Sequence, residues 1–447
     1  MQAEPDGASR QPLLRILGVG DGLAVTVGIV IGAGILRTPG LIAGYLPDAW
    51  LILGIWALGG VMAGLSTVVL AEMAAAAPRA GGKYVYARDA WGPAMGFVAG
   101  WSELLVTRGF SGAAKAVVIA EYVRSLAGRG SVPMLAGAVV LAFFFLHARG
   151  LRAGALFQNV TTAFKVLVIV LIAGAGIWAG DMAGFAAAGV GGLSSPGVGL
   201  LGFALAYQAV AFAYYGWEDA AKLGEEIVDP GRALPRILVG GVVAVAALYL
   251  LINVSFLAAL TPAEMAGSEL VARDATSAVF GDAAGTIVLL ASLVILISSL
   301  NVNFLGLPRV AYGLANDGLA LRRFARVDPG GTPGVALYFI TAWIGLLAVT
   351  SAFEFLINFM MMVAISVDAI VLLGYFRLRS RRPDAPRPFR VPGGRATAAV
   401  TVALYAAILA VMVSTQPMLA LGGGAMLAAL AAAGWWTAAR NRKRSLA

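Results

Sequence analysis

Apolar runs long enough to cross a bilayer follow one another along almost the whole sequence, broken only by short clusters of Gly, Pro and charge. A membrane-spanning helix needs about 20 mostly apolar residues, and it is a helix because no water is present in the hydrocarbon to satisfy an open backbone. Twelve such spans are legible, roughly 16–44, 48–74, 94–122, 132–148, 156–179, 198–226, 236–259, 279–306, 334–352, 354–377, 396–415 and 419–438. The chain is 60% hydrophobic and 12% charged, the latter against about 25% in an ordinary soluble domain. A soluble globular fold is excluded, and an all-α membrane protein of twelve transmembrane helices is expected. The first ten residues are polar and lack the apolar core of a signal peptide, so the first span is expected to stay in the mature protein.

The charges alternate by side. Of 32 Lys and Arg, 25 lie in the termini and in the loops after spans 2, 4, 6, 8 and 10, with Lys222, Arg236 and Arg377 at the span ends counted with the loops they border. Three (Arg124, Arg129 and Arg273) lie in the opposite loops, and four (Arg37, Arg108, Lys115 and Lys165) fall within spans. By the positive-inside rule both termini are cytoplasmic, in a multi-pass protein of the cell membrane. That rule also accounts for the net charge of +9 with the lipid bilayer as partner and no nucleic acid. The absence of cysteine removes disulfides and thiolate metal sites, and one histidine, His147, makes a histidine metal or proton-relay site improbable. No metal and no cofactor are expected. No nucleophile or metal constellation sits within the spans, so no enzyme is expected either.

Two spans carry marks of interruption. The first contains residues 28–35, GIVIGAGI, where each Gly costs a helix interior about 1 kcal/mol relative to Ala. The sixth contains residues 211–217, AFAYYGW, followed by Glu218 and Asp219. Unwound backbone inside a membrane is tolerated only where it lines a cavity, so the paired breaks point to a site at the midplane. They head two five-helix units, 16–179 and 198–377, and because five is odd the second must be inverted. Around these units lie a cytoplasmic N-terminal segment 1–15, a basic loop 378–395, helices 11 and 12 at 396–438 and a tail 439–447. Half-helix N-termini at such breaks offer N–H groups to a carboxylate, and unwound carbonyls accept from a cation, so the ligand expected is a zwitterion. Close packing between helices is the competing reading of Gly32 and Gly34. A dinucleotide fold is not, since no βαβ pattern surrounds them.

The sequence resembles the amino acid-polyamine-organocation (APC) transporter superfamily over nearly its whole length, nearest the L-type amino acid transporter branch. The resemblance is carried by residues 28–35, by 78–86 (PRAGGKYVY), by 212–217 (FAYYGW) with Glu225 and Glu226 and 230–236 (PGRALPR), by 309–318 (RVAYGLANDG) and by 387–392 (RPFRVP). It implies a LeuT-like 5+5 inverted repeat with broken first and sixth helices. Backbone amides of Gly32, Ala33 and Gly34, with Ile31 beside them, would hold the substrate carboxylate, and Ala33 stands where Ser is common. Carbonyls at Phe212, Ala213 and Tyr214 would take the ammonium. Phe212 matches the family's aromatic gate, and Tyr249 matches a tyrosine lining the site. Lys165 resembles the lysine that replaces sodium in sodium-coupled relatives, bonded to the first-helix break and to a serine of the eighth helix, Ser299 or its neighbour Ser298.

Lys165 also draws attention on depth alone. It lies about nine residues into the fifth span, roughly 14 Å, where snorkelling is hard and a cation costs at least about 3 kcal/mol. Glu218 is open to three roles: a contact to a substrate amine, proton uptake, or capping of the half-helix that begins there. With Arg37 it is a candidate for coupling or specificity. Arg37 and Lys115 are expected to snorkel, and His147 to lie at the interface. Glu103, Arg108 and Asp368 are candidates for structural ion pairs, although Glu103 and Arg108 are five apart, a poor same-face spacing. The function expected is sodium-independent exchange of neutral amino acids by alternating access. The alternatives are proton-coupled symport, a cationic amino acid or polyamine carrier, or a channel or receptor on the same scaffold. L-type relatives in eukaryotes join a heavy chain through a cysteine, which this chain lacks.

Overall fold

The computed structural model describes residues 17–79, 82–149, 151–183, 185, 199–224, 227–328 and 332–446. The N-terminal segment 1–15, residue 16 of the first span, Ala80 and Gly81 of the PRAGGKYVY run, Glu225 and Glu226, residue 198 of the sixth span and Ala447 of the tail lie outside them.

Helix follows helix. The first span is split into α1 (Val19–Val30) and α2 (Ala33–Tyr45), bent by 43°. Next come α3 (Ala49–Ala76), a short α4 (Lys83–Trp91), α5 (Pro93–Ser102), a π-helical turn Glu103–Thr107, α6 (Arg108–Ala127), α7 (Val132–Ala148) and α8 (Leu151–Ala179). The sixth span gives α9 (Leu200–Tyr214) and then, beyond a break, a 3₁₀ turn Asp219–Leu223. The remainder is α10 (Pro230–Ala259), α11 (Pro262–Ala266), α12 (Val271–Phe280), α13 (Asp282–Asn316), α14 (Gly334–Thr350), α15 (Phe353–Arg381), α16 (Arg395–Thr415) and α17 (Pro417–Leu446). Six helices among the described residues are long and apolar enough to cross a membrane by themselves, and the α1/α2 pair passes as one broken span. The helix α4 lies in the stretch between spans 2 and 3, where the motif of residues 78–86 implies a cytoplasmic segment.

The two breaks end up side by side because the helices that carry them pack on common neighbours. α10 lies against α1, α3 and α8, α9 lies against α2, and α13 lies against α6 and α8. The one β-bridge among the described residues, Leu17 to Ile227, pins the start of α1 to the chain beyond the second break. α16 and α17 stay at the periphery, where Met418, Leu421, Trp435 and Trp436 are exposed, as suits side chains solvated by lipid.

The π turn changes one sequence expectation. The Arg108 N–H bonds to the Glu103 carbonyl, an i to i+5 link, and residues five apart then share a face. Arg108 Nε lies 3.8 Å from Glu103 Oε1, so the spacing that looked wrong for an α-helix is right for this turn.

Candidate functional site

α1 stops at Val30, Ile31 is extended, and α2 starts at Ala33 after Gly32. The first N–H groups of α2 therefore have no acceptor in their own helix and form the positive end of its dipole. Gly32 is there for space: a Cβ on it would stand 2.2 Å from Ser299 Oγ. Gly34 is likewise a contact residue, since its Cβ would come 2.4 Å from the Ala213 Cα. Opposite, α9 stops at Tyr214 and the chain turns at Gly216, whose φ of +115° favours glycine.

Tyr249 on α10 joins the breaks, its hydroxyl lying 3.0 Å from the Val30 carbonyl and 3.1 Å from the Ala213 carbonyl. One hydroxyl proton cannot serve two carbonyls fully, so these acceptors keep capacity for a further donor. Tyr214 donates to the Trp56 carbonyl at 3.1 Å, and the Trp56 ring stands edge-on to Tyr249. Ile31, Gly32, Ala33, Gly34, Phe212, Ala213, Tyr214 and Tyr249 are thus brought together. On one side Phe212 is buried and edge-on to Phe353, 5.9 Å between ring centres. Arg37 lies over the Phe353 ring and is paired through Nε with Glu121 at 3.2 Å. It is held, where snorkelling was expected.

Lys165 is fully buried and donates to the Gly28 carbonyl, in the last turn of α1. Among the described residues neither expected serine bonds to it: Ser299 Oγ has no hydrogen-bond partner and faces Gly32, and Ser298 Oγ accepts from Thr161 at 2.6 Å. The tie between α13 and its surroundings is made by a different cation. Lys115 is buried and donates to the Ser299 carbonyl at 3.2 Å and to Asn303 Oδ1 at 2.9 Å. It does not snorkel, because α13 supplies acceptors closer than water. His147, next to the last residue of α7, is also buried, 2.9 Å from Asn301 Oδ1 and stacked on Phe143 and Phe304.

Just beyond the second break, seven ionisable side chains meet. Lys83 of α4 lies 2.7 Å from Asp368 of α15 and 3.0 Å from Glu218, and it donates to the Tyr215 hydroxyl at 2.7 Å. Arg108 pairs with Asp219, Lys222 pairs with Glu103, and Lys222 lies 2.7 Å from Asp219. Glu218 caps nothing with its side chain; it belongs to this network. Sequence reading missed Lys83, Asp219 and Lys222 as a group. The signal available is Glu103, Arg108 and Asp368 in search of partners, but counting charge by side places Lys83 and Lys222 with the loops as orientation charges. Among the described residues no cluster of His, Cys, Asp and Glu is arranged to hold a metal.

A family model described as amino acid permease matches residues 17–436. The serine/threonine exchanger SteT of Bacillus subtilis (strain 168) is 27% identical over 398 residues, 88% of each chain. The b(0,+)-type amino acid transporter 1 of Homo sapiens is 28% identical over 403 residues, covering 87% of this chain and 80% of its own. The large neutral amino acids transporter small subunit 2 of Mus musculus is 26% identical over 409 residues, covering 86% and 74%.

Proposed function

Because this chain belongs to the amino acid permease family, a family of membrane transporters and not of enzymes, we propose that it exchanges neutral amino acids across the cell membrane by alternating access without sodium. The observation that carries the reading is the pair of facing breaks at Ile31–Gly32 and Tyr214–Gly216, with free N–H groups at the start of α2 and one underused carbonyl on each break, Val30 and Ala213. A free α-amino acid supplies the complement of both, a carboxylate for the N-terminus of α2 and an ammonium for the carbonyls. The relatives named as exchangers and amino acid transporters support the same class of cargo.

On this reading the chain has twelve spans, with 16–179 and 198–377 as inverted five-helix units and both termini in the cytoplasm. Sodium independence rests on Lys165, whose ammonium already satisfies an α1 carbonyl in a dry site. Neutral cargo is favoured over cationic cargo because Glu218 is already engaged by Lys83, so a cationic side chain would have to displace an ammonium in place. With no cysteine, a disulfide to a heavy chain cannot form. Counterflow in proteoliposomes tests the assignment: preloaded unlabelled neutral amino acid should accelerate uptake of the labelled one. A channel on the same scaffold would show no acceleration.

A further inference from the structure

Four carboxylates (Glu103, Glu218, Asp219 and Asp368) and three cations (Lys83, Arg108 and Lys222) make up the cluster beyond the second break, one negative charge in excess. All but Lys222 are buried. Arg108 and Lys222 are shared among Asp219, Glu103 and Glu218, whereas Asp368 and Glu218 converge on the single ammonium of Lys83. Glu218 is 1% exposed, yet neither of its oxygens, nor Glu103 Oε2, accepts a well-aligned hydrogen bond. The titratable groups that act on Asp368 come from several elements: Lys83 of α4, Glu218 and Tyr215 of the break, Glu103 of the π turn, and the phenols of Tyr207 on α9 and Tyr405 on α16. Lys115, two turns farther along α6, offers no compensation because its ammonium is bonded to α13. A net charge removed from water is costly, and Glu218 Oε2, which has no donor while Oε1 shares the Lys83 ammonium with Asp368, is where a proton relieves the cost.

We infer that the cluster is a proton-binding site: Glu218 and Asp368 share one proton around Lys83 while the cluster is closed, and lose it when the cluster opens to water. Closing is then proton uptake, and opening breaks the O–H bond of the shared carboxyl and passes the proton to the adjoining solution. The cluster joins α4, the π turn, the 3₁₀ turn and α15, so these elements cannot part without hydrating it. On the proposed alternating-access reading, from which this inference proceeds, that parting is the opening to the cytoplasm. A closed state holding one more proton than the open state is favoured by up to tenfold per pH unit as pH falls.

The absence of cysteine gives a direct test in the full-length protein. Ala221→Cys places a thiol in the buried 3₁₀ turn, and Ser380→Cys places one on the exposed end of α15. The labelling rate of the first by a charged maleimide, divided by that of the second, removes the pH dependence of thiol chemistry and reads opening alone. The ratio should fall several-fold to tenfold per unit across part of the range from pH 8 to 5. It should be low and flat in Asp368→Asn, with Glu218→Gln as the second variant should the first not fold. A flat ratio in the parent, or an unchanged slope in both variants, overturns the proton site. Failure of neutral amino acids to alter the ratio at fixed pH would count against the transport reading and leave the slope to answer for the proton.

Discussion

At the scale of single residues, a buried polar group is understood by asking which acceptor or donor it meets, and Lys165 meets the Gly28 carbonyl. Lys165→Ala leaves that carbonyl without its donor in a dry site, a loss of about 1–3 kcal/mol. The variant should reach the membrane, melt at a lower temperature in detergent and lose most uptake, whereas a variant that melts lower but transports normally would reduce Lys165 to a structural tie. Phe212→Ala should raise KM several-fold with a smaller effect on the melting temperature, because the ring meets Phe353 at its edge and other helices supply most of the packing. Kinetics of counterflow read the first and thermal melting the second. Lys165 was legible because its depth rules out snorkelling. Lys115 was not, since the rule that sends a lysine to water takes no account of a neighbouring helix offering a carbonyl and an amide oxygen.

Between elements, the informative quantity is how closely two backbones approach. A Cβ on Gly34 would press on the backbone of Ala213, while one on Gly44, in the same helix, would meet nothing within 4 Å. Gly34→Ala should therefore push the breaks apart, costing about 1–3 kcal/mol and most of the transport. Gly44→Ala should be neutral or stabilising by up to about 1 kcal/mol. Thermal melting and uptake of the two variants side by side check the contrast, and equal behaviour would mean that the breaks do not need to touch. Long apolar helices were readable almost to their ends, as with 48–74 against Ala49–Ala76 and 354–377 against Phe353–Arg381, because the cost of unpaired backbone in lipid imposes length and composition together. The π turn was not, because its register depends on the bond from Arg108 to the Glu103 carbonyl, and nothing in apolar periodicity marks one extra residue in a turn. The charge cluster stayed hidden for a related reason: its members are scattered from Lys83 to Asp368 and meet only through the fold.

For the whole molecule, the orientation of the two half-helix ends decides what is carried and what drives it. The α2 N-terminus offers N–H groups and positive dipole to an anion, so on the proposed reading the charge on the α-carboxylate is the handle. Free neutral amino acids should compete for uptake, and their methyl esters, which keep the ammonium and the side chain but lose that charge, should compete at least tenfold less well. Esters or simple amines that competed equally would remove the carboxylate from the mechanism. Replacing sodium with choline in the same vesicles should leave uptake unchanged, because the carbonyl that a cation would otherwise coordinate already holds the ammonium of Lys165. Sodium-stimulated uptake by the unmodified protein would mean that the ammonium leaves a cation site open, and the assignment of Lys165 would fall with it.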